Sequence, residues 1–153
     1  MDFVIAGFQG LGIALALGIL CGAVGWRELP GTLLAALAAV AGGWLFGFSL
    51  TEDFGVAEIA DEDHPAWPGW IVGALVALLA YFVWRDMSAS AQARTEAAGF
   101  VPVYITIFAL VLGVLALLVP LAAGIIGVVV TAWLALQRRR RAGEKYEGLR
   151  VLR

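Results

Sequence analysis

The stretch that decides the fold is 100-FVPVYITIFALVLGVLALLVPLAAGIIGVVVTAWLALQ-137, which contains 38 residues and no charged side chain. A single α-helix of that length, rising 1.5 Å per residue, would measure about 57 Å, whereas the hydrocarbon layer of a membrane is about 30 Å thick. Pro120 lies near the middle, where a proline removes a backbone donor and clashes with the preceding turn. We therefore interpret the stretch as two membrane spans, residues 100–118 and 121–137, joined at Val119 and Pro120. The alternative is a re-entrant hairpin, in which this turn is buried in protein or stops short of the outer surface.

The rest of the chain is also apolar. Hydrophobic residues make up 62% of the sequence and charged residues 14%, with a mean hydropathy of +0.92, which is typical of an integral membrane protein rather than a soluble domain. Three further apolar stretches predict spans at residues 3–25, 31–50 and 67–84, each close to the roughly 20 residues that cross a bilayer. We predict an all-α integral membrane protein with about five transmembrane helices in residues 1–137.

The distribution of basic residues predicts the orientation. All ten Lys and Arg residues fall in the first connection, in loop 85–99 and in tail 138–153, and five spans place these three segments on one side. Because Lys and Arg are retained on the cytoplasmic side, we expect the N-terminus outside and the C-terminus in the cytoplasm.

The tail is expected to contact anionic lipid headgroups, with each basic group near the surface contributing about 1 kcal/mol. The residues in question are Arg138, Arg139, Arg140, Arg141 and Lys145. The lipid bilayer itself is therefore an expected partner. No nucleic-acid partner is expected, because retention of positive charge already explains the cluster.

Small residues recur at helical spacing in the spans. The second span contains Ala35, Ala39, Gly43 and Gly47 in steps of four, which places them on one helix face. Such faces allow helix backbones to approach closely, so we expect the helices to pack through Gly/Ala faces. Trp44, deep in the same span, is expected to pack against the small-residue face of a neighbour.

Four polar residues lie within the predicted spans and allow two interpretations. Gln9, Ser49, Thr106 and Thr131 can form hydrogen bonds between helices, each contributing on the order of 1 kcal/mol. Alternatively, they can line a polar path through an oligomeric channel. The spans contain no Asp, Glu, Lys, Arg or His, the groups that usually mark proton or ion pathways.

The predicted outer loop, residues 51–66, is acidic. It contains Glu58, Asp61, Glu62, Asp63 and His64 and no basic residue, so it should attract cations, and its oxygen and nitrogen atoms are potential ligands. The spacing does not specify a metal site, and whether a metal binds stays open.

No motif indicates catalysis. The one His is in the acidic loop and the one Cys, Cys21, is in a span, and no nucleophile has a recognisable base partner. We expect neither enzymatic activity nor a cofactor.

The glycine-rich spans, the arginine cluster and the ending Tyr146-x-Gly-Leu-Arg-x-Leu-Arg153 resemble small bacterial multi-pass membrane proteins of unknown function. That resemblance implies the bacterial cytoplasmic (inner) membrane but no activity. Two functional hypotheses follow. The first is a structural or accessory subunit of a homo-oligomer or membrane complex, and the alternative is a small oligomeric channel or facilitator for an ion or small solute.

The topology can be tested with single cysteines introduced by Ala57→Cys, Ala89→Cys and Ala142→Cys in a Cys21→Ala background. An impermeant thiol reagent added from outside should label position 57 and neither of the other two, because the acidic loop is the one of these three segments that faces outwards. Labelling of all three after permeabilisation is the control. Labelling at position 142 in intact cells would refute the five-span arrangement.

Overall fold

The computed structural model describes residues 2–24, 31–51, 67–92 and 100–150, nearly all of them in five α-helices. The helices are α1 (Asp2–Val24), α2 (Gly31–Ser49), α3 (Trp67–Gln92), α4 (Phe100–Leu118) and α5 (Pro120–Arg150). All five are long and apolar enough to cross a membrane. The prediction of an all-helical chain with five helices of membrane-spanning length is confirmed.

Two helices continue past the ends of the predicted spans. The third predicted span ends at residue 84 and α3 ends at Gln92, while the fifth ends at residue 137 and α5 ends at Arg150. Both extensions lack proline and contain Ala, Arg and other good helix formers. Polar side chains end the apolar segment there without ending the helix, so parts of the predicted inner loop and tail are helical.

Helix α1 is the centre of the bundle. It contacts all four other helices, whereas α2 contacts only α1 and α3 among the described residues. Within its apolar segment, 56% of α1 is buried, compared with 22–33% for the other helices. The bundle therefore has α2 and α3 on one side of α1 and the α4–α5 pair on another.

Contacts between helices show an up-and-down arrangement. Gly18 and Gly22 of α1 face Ala77 and Tyr81 of α3 in the same order, so α1 and α3 run parallel. In contrast, successive residues of α2 contact α1 and α3 in descending order, so α2 runs antiparallel to both. One end of the bundle, here called the basic end, combines the C-terminal ends of α1, α3 and α5, and it carries Arg85 and Arg138.

Helices α4 and α5 form an antiparallel hairpin that reverses at Val119. A Cβ atom added at Gly12 of α1 would lie 2.8 Å from Ala116 Cβ and 3.3 Å from Ala123 Cβ, two residues that flank the turn. Pro120 is the first residue of α5. An N–H group at this position has no acceptor within the helix, so the missing N–H of proline costs no hydrogen bond of α5. The end of the bundle that contains this reversal is called the turn end.

Helices α2 and α3 approach each other closely at one crossing. A Cβ atom added at Gly73 would lie 2.5 Å from both the Gly42 carbonyl oxygen and Phe46 Cβ. A Cβ atom added at Gly42 would lie 2.5 Å from Ala77 Cβ. At this crossing the backbones themselves are in contact, and a methyl group has no space unless a helix moves.

The outer surface of the bundle is apolar. Large side chains such as Val40, Leu79, Leu110 and Val129 are each more than half exposed. In water an exposed apolar surface of this extent would be a strong aggregation hazard. In a bilayer it faces acyl chains, which is what a membrane-spanning bundle requires.

We expect Gly73→Ala to destabilise the bundle by about 1–3 kcal/mol, because overpacking forces the α2–α3 backbones apart. The matched control is Gly113→Ala in α4, where the added Cβ would meet Ala16 Cβ at an ordinary 3.7 Å. That change should stabilise the helix by about 0.5–1 kcal/mol through propensity. Reversible unfolding in detergent measures both, and equal effects of the two changes would contradict the assigned crossing.

Candidate functional site

Buried polar side chains form two layers, one near each end of the bundle. At the turn end, Gln9 of α1 and Ser49 of α2 are both completely buried. The Ser49 hydroxyl lies 2.8 Å from the Phe46 carbonyl oxygen and 3.3 Å from the Ala6 carbonyl oxygen, so it can donate to either. The second of these bonds ties α2 to α1.

Gln9 differs from Ser49 because, within the part of the chain that the structure describes, neither its Nε2 nor its Oε1 atom has a hydrogen-bond partner. The structure therefore brings the two predicted residues to the same end of the bundle without joining them. An unpartnered buried amide is costly, because its lost hydration is not replaced.

At the basic end, Tyr81 of α3 holds the start of α2. The fully buried Tyr81 donates its hydroxyl proton to the Gly31 carbonyl oxygen over 2.8 Å. The Arg85 guanidinium lies 5.8 Å from the Tyr81 ring centroid, and it packs against Gly31 as well. Side chains one turn apart on α3 therefore position the first residue of α2.

Trp84, also on α3, connects that helix with the α4–α5 hairpin. Its indole N–H donates to Thr131 Oγ1 of α5 over 3.3 Å. Its ring stacks on Phe108 of α4 with centroids 5.4 Å apart. Such pairs contribute about 0.5–1.5 kcal/mol beyond their buried area, and here one side chain joins three helices.

An ion pair between Asp86 of α3 and Arg138 of α5 lies next to this contact. The side chains are 46% and 60% exposed, so the pair contributes at most about 1 kcal/mol. Arg138 was predicted to contact lipid headgroups and has a protein partner as well. Arg139 and Arg140 are exposed at the same end, whereas the side chains of Arg141 and Lys145 lie outside the described residues.

The centre of the bundle between the two layers is apolar. On α1 it contains the buried residues Ile13, Ala16 and Ile19, and α4 contributes Ala109 and Leu112. The remaining predicted polar residue, Thr106, donates to the Pro102 carbonyl oxygen of its own helix over 2.8 Å. Within the described residues, Gln9, Ser49, Thr106 and Thr131 do not form one continuous hydrogen-bonded track.

A shallow apolar groove of about 340 Å³ lies on the outer surface between α2 and α3. Its lining residues are Ala39, Val40, Gly43, Trp44, Trp70 and Ala74. Trp44 is 60% exposed at its rim and stacks on Phe48 with centroids 5.6 Å apart. The side chain expected to pack inwards therefore also presents a large surface to the surroundings of the bundle.

The acidic loop lies outside the described residues, and with it the predictions for Glu58, Asp61, Glu62, Asp63 and His64. Within the part of the chain that the structure describes, no three His, Cys, Asp or Glu side chains come together to hold a metal ion. Cys21 is buried with a free thiol.

Sequence reasoning did not find Tyr81, Trp84 and Asp86 as residues that connect helices. Trp84 is the last residue of the third predicted span, and Asp86 lies in the loop 85–99 that is predicted to follow it. The sequence did contain a signal, which is the spacing of these residues. Tyr81, Trp84 and Asp86 lie within six consecutive residues and therefore project from different sides of one helix end.

No family model, curated protein or solved structure matches the chain. The class of protein therefore comes from the fold alone. Five helices with the length and composition of membrane spans indicate a multi-pass membrane protein.

The Tyr81 hydroxyl can be tested by Tyr81→Phe, which removes the bond to Gly31 and keeps the ring. We expect the free energy of unfolding to fall by about 1 kcal/mol, the usual net contribution of such a bond. Tyr104→Phe is the matched control, because Tyr104 is 70% exposed and has no hydrogen bond within the described residues. Equal stability of the two variants in a detergent unfolding titration would remove the assigned role of Tyr81.

Proposed function

We propose that this chain is a non-enzymatic membrane protein that acts as a structural or accessory subunit of a homo-oligomer or a larger membrane complex. The observation that carries the proposal is the apolar layer around Ile13, Ile19 and Leu112. A transporter or proton relay usually needs ionisable groups at this depth. The predicted spans contain no Asp, Glu, Lys, Arg or His.

The proposal includes a bacterial cytoplasmic (inner) membrane location, with the N-terminus outside and the basic end in the cytoplasm. The support is the retention of Lys and Arg on the cytoplasmic side, together with the resemblance described above. Packing through Gly/Ala faces is part of the same proposal. It is supported by the lack of space for a methyl group at Gly42 and Gly73.

The proposal also assigns the basic end to anionic lipid headgroups. The support is the pair of exposed guanidinium groups of Arg139 and Arg140 at the end of the apolar segment of α5. Basic groups at this position are attracted to the negative surface potential of a membrane. The Asp86–Arg138 ion pair would hold the start of the arginine cluster against α3.

A small oligomeric channel or facilitator is the second candidate, and one observation favours it. Gln9 is a buried amide with no partner, as a residue that contacts a passing solute can be. A path between several copies would require a rearrangement of α1 that exposes Gln9, because Gln9 is fully buried in one bundle and the centre of that bundle is apolar. The acidic loop would then enrich cations at the mouth.

The two functions can be separated by purifying the protein in mild detergent and reconstituting it in vesicles. An accessory subunit should run as a defined oligomer or with a stoichiometric membrane partner by native mass spectrometry. Its vesicles should release ions and small neutral solutes no faster than protein-free vesicles. A monomer without a partner would contradict the proposal, and protein-dependent flux that changes in Gln9→Leu would support the channel instead.

A further inference from the structure

Gln9 is fully buried, and neither polar atom of its carboxamide has a hydrogen-bond partner among the described residues. A carboxamide offers two N–H donors and a carbonyl acceptor. Leaving such a group unsatisfied in a protein interior is destabilising, because its lost hydration is not replaced. A buried polar group of this kind requires a specific explanation.

The register of α1 places Gln9 at the level of the α4–α5 turn. Gly12, one helical turn further along α1, contacts Ala116 and Ala123 on the two sides of that turn. Phe8, the residue before Gln9, has its carbonyl oxygen 3.2 Å from the position of a Cβ atom added at Gly124. The segment of α1 that contains Gln9 therefore packs against the end of α4 and the start of α5.

The turn itself has backbone groups in need of partners. Pro120 has no N–H, so the Ala116 carbonyl lacks the donor that a continuing helix would supply. The N–H groups of Leu121 and Ala122 belong to the first turn of α5, whose amides have no acceptor within the helix. The bonds on either side are made, from Val119 to Leu115 over 2.7 Å and from Ala123 to Val119 over 3.1 Å.

This turn is also surrounded by apolar side chains. Leu118, Val119 and Leu121 are each about half exposed on its outer surface, whereas Pro120 is buried. None of these side chains can satisfy a carbonyl or an amide. Where lipid surrounds a protein, unpaired backbone groups are strongly destabilising and need partners within the protein.

We propose that Gln9 and the α4–α5 turn bind one water molecule, which bridges the Gln9 carboxamide to the unpaired backbone groups around Pro120. A buried water needs two to four polar partners, and this region supplies both donors and acceptors. The absence of charge from the segments involved favours a neutral ligand over an ion. The inference concerns a single copy of the chain and is independent of the accessory role.

Substitution of Gln9 tests the water bridge, because stability should fall if the bridge exists and should not fall if it does not. Gln9→Met keeps an unbranched side chain of similar length and removes the hydrogen-bonding atoms. If the water bridge exists, its loss leaves the turn unsatisfied, and the folding equilibrium constant should fall roughly tenfold. If Gln9 is merely unpartnered, removal of its amide relieves a penalty, so unchanged or increased stability in a detergent unfolding titration would overturn the proposal. Gln9→Leu should shift stability in the same direction.

Solid-state NMR of the unaltered protein in lipid bilayers tests the water directly. With glutamine labelled by ¹⁵N in the side chain, Gln9 is one of three signals and is assigned by its loss in Gln9→Met. Magnetisation should pass from water to the Gln9 amide at short mixing times, even though the side chain is inaccessible to bulk solvent. Transfer no faster than that to the buried methyl groups of Ile19 would overturn the proposal.

Discussion

Backbone groups inside a hydrocarbon layer must find their hydrogen-bond partners within the protein, and the architecture of this chain depends on that requirement. An α-helix meets the requirement, but one helix of 38 apolar residues would be nearly twice as long as the layer is thick and would extend apolar side chains into water. The stretch fits the layer as two antiparallel helices with a reversal at Val119 and Pro120. The free-energy cost of unpaired backbone groups is concentrated at that reversal, because helix hydrogen bonds are lost there.

Polar contacts are concentrated near the ends of the bundle, and the middle is packed with small and aliphatic side chains. At the basic end, Tyr81 and Trp84 together tie α3 to α2, α4 and α5. At the turn end, Ser49 ties α2 to α1. Hydrogen bonds thus set which helix ends meet, while close backbone approach, as at Gly42 and Gly73, sets the distance between helices.

Much of the fold was predictable because it follows from length and hydropathy. Four apolar stretches, the longest of them divided at Pro120, predicted five helices, and the described residues contain five helices of spanning length. The continuation of α3 to Gln92 and α5 to Arg150 was not predicted, because a change from apolar to polar residues marks the edge of a membrane segment and does not mark a helix end. Gln9 and Ser49 were identified as polar residues of interest, yet their difference in hydrogen bonding was not foreseeable.

The sequence by itself determined the class of protein, the number of helices and the break at Pro120, because each depends on local composition and on the reach of an α-helix. Only the tertiary structure decided that α1 is central, that Trp84 reaches Thr131, and that Gln9 is enclosed without a partner. Those properties depend on residues far apart in the chain, such as Tyr81 and Gly31, 50 positions apart. Their contact is set by helix rotation and depth, which local periodicity does not specify.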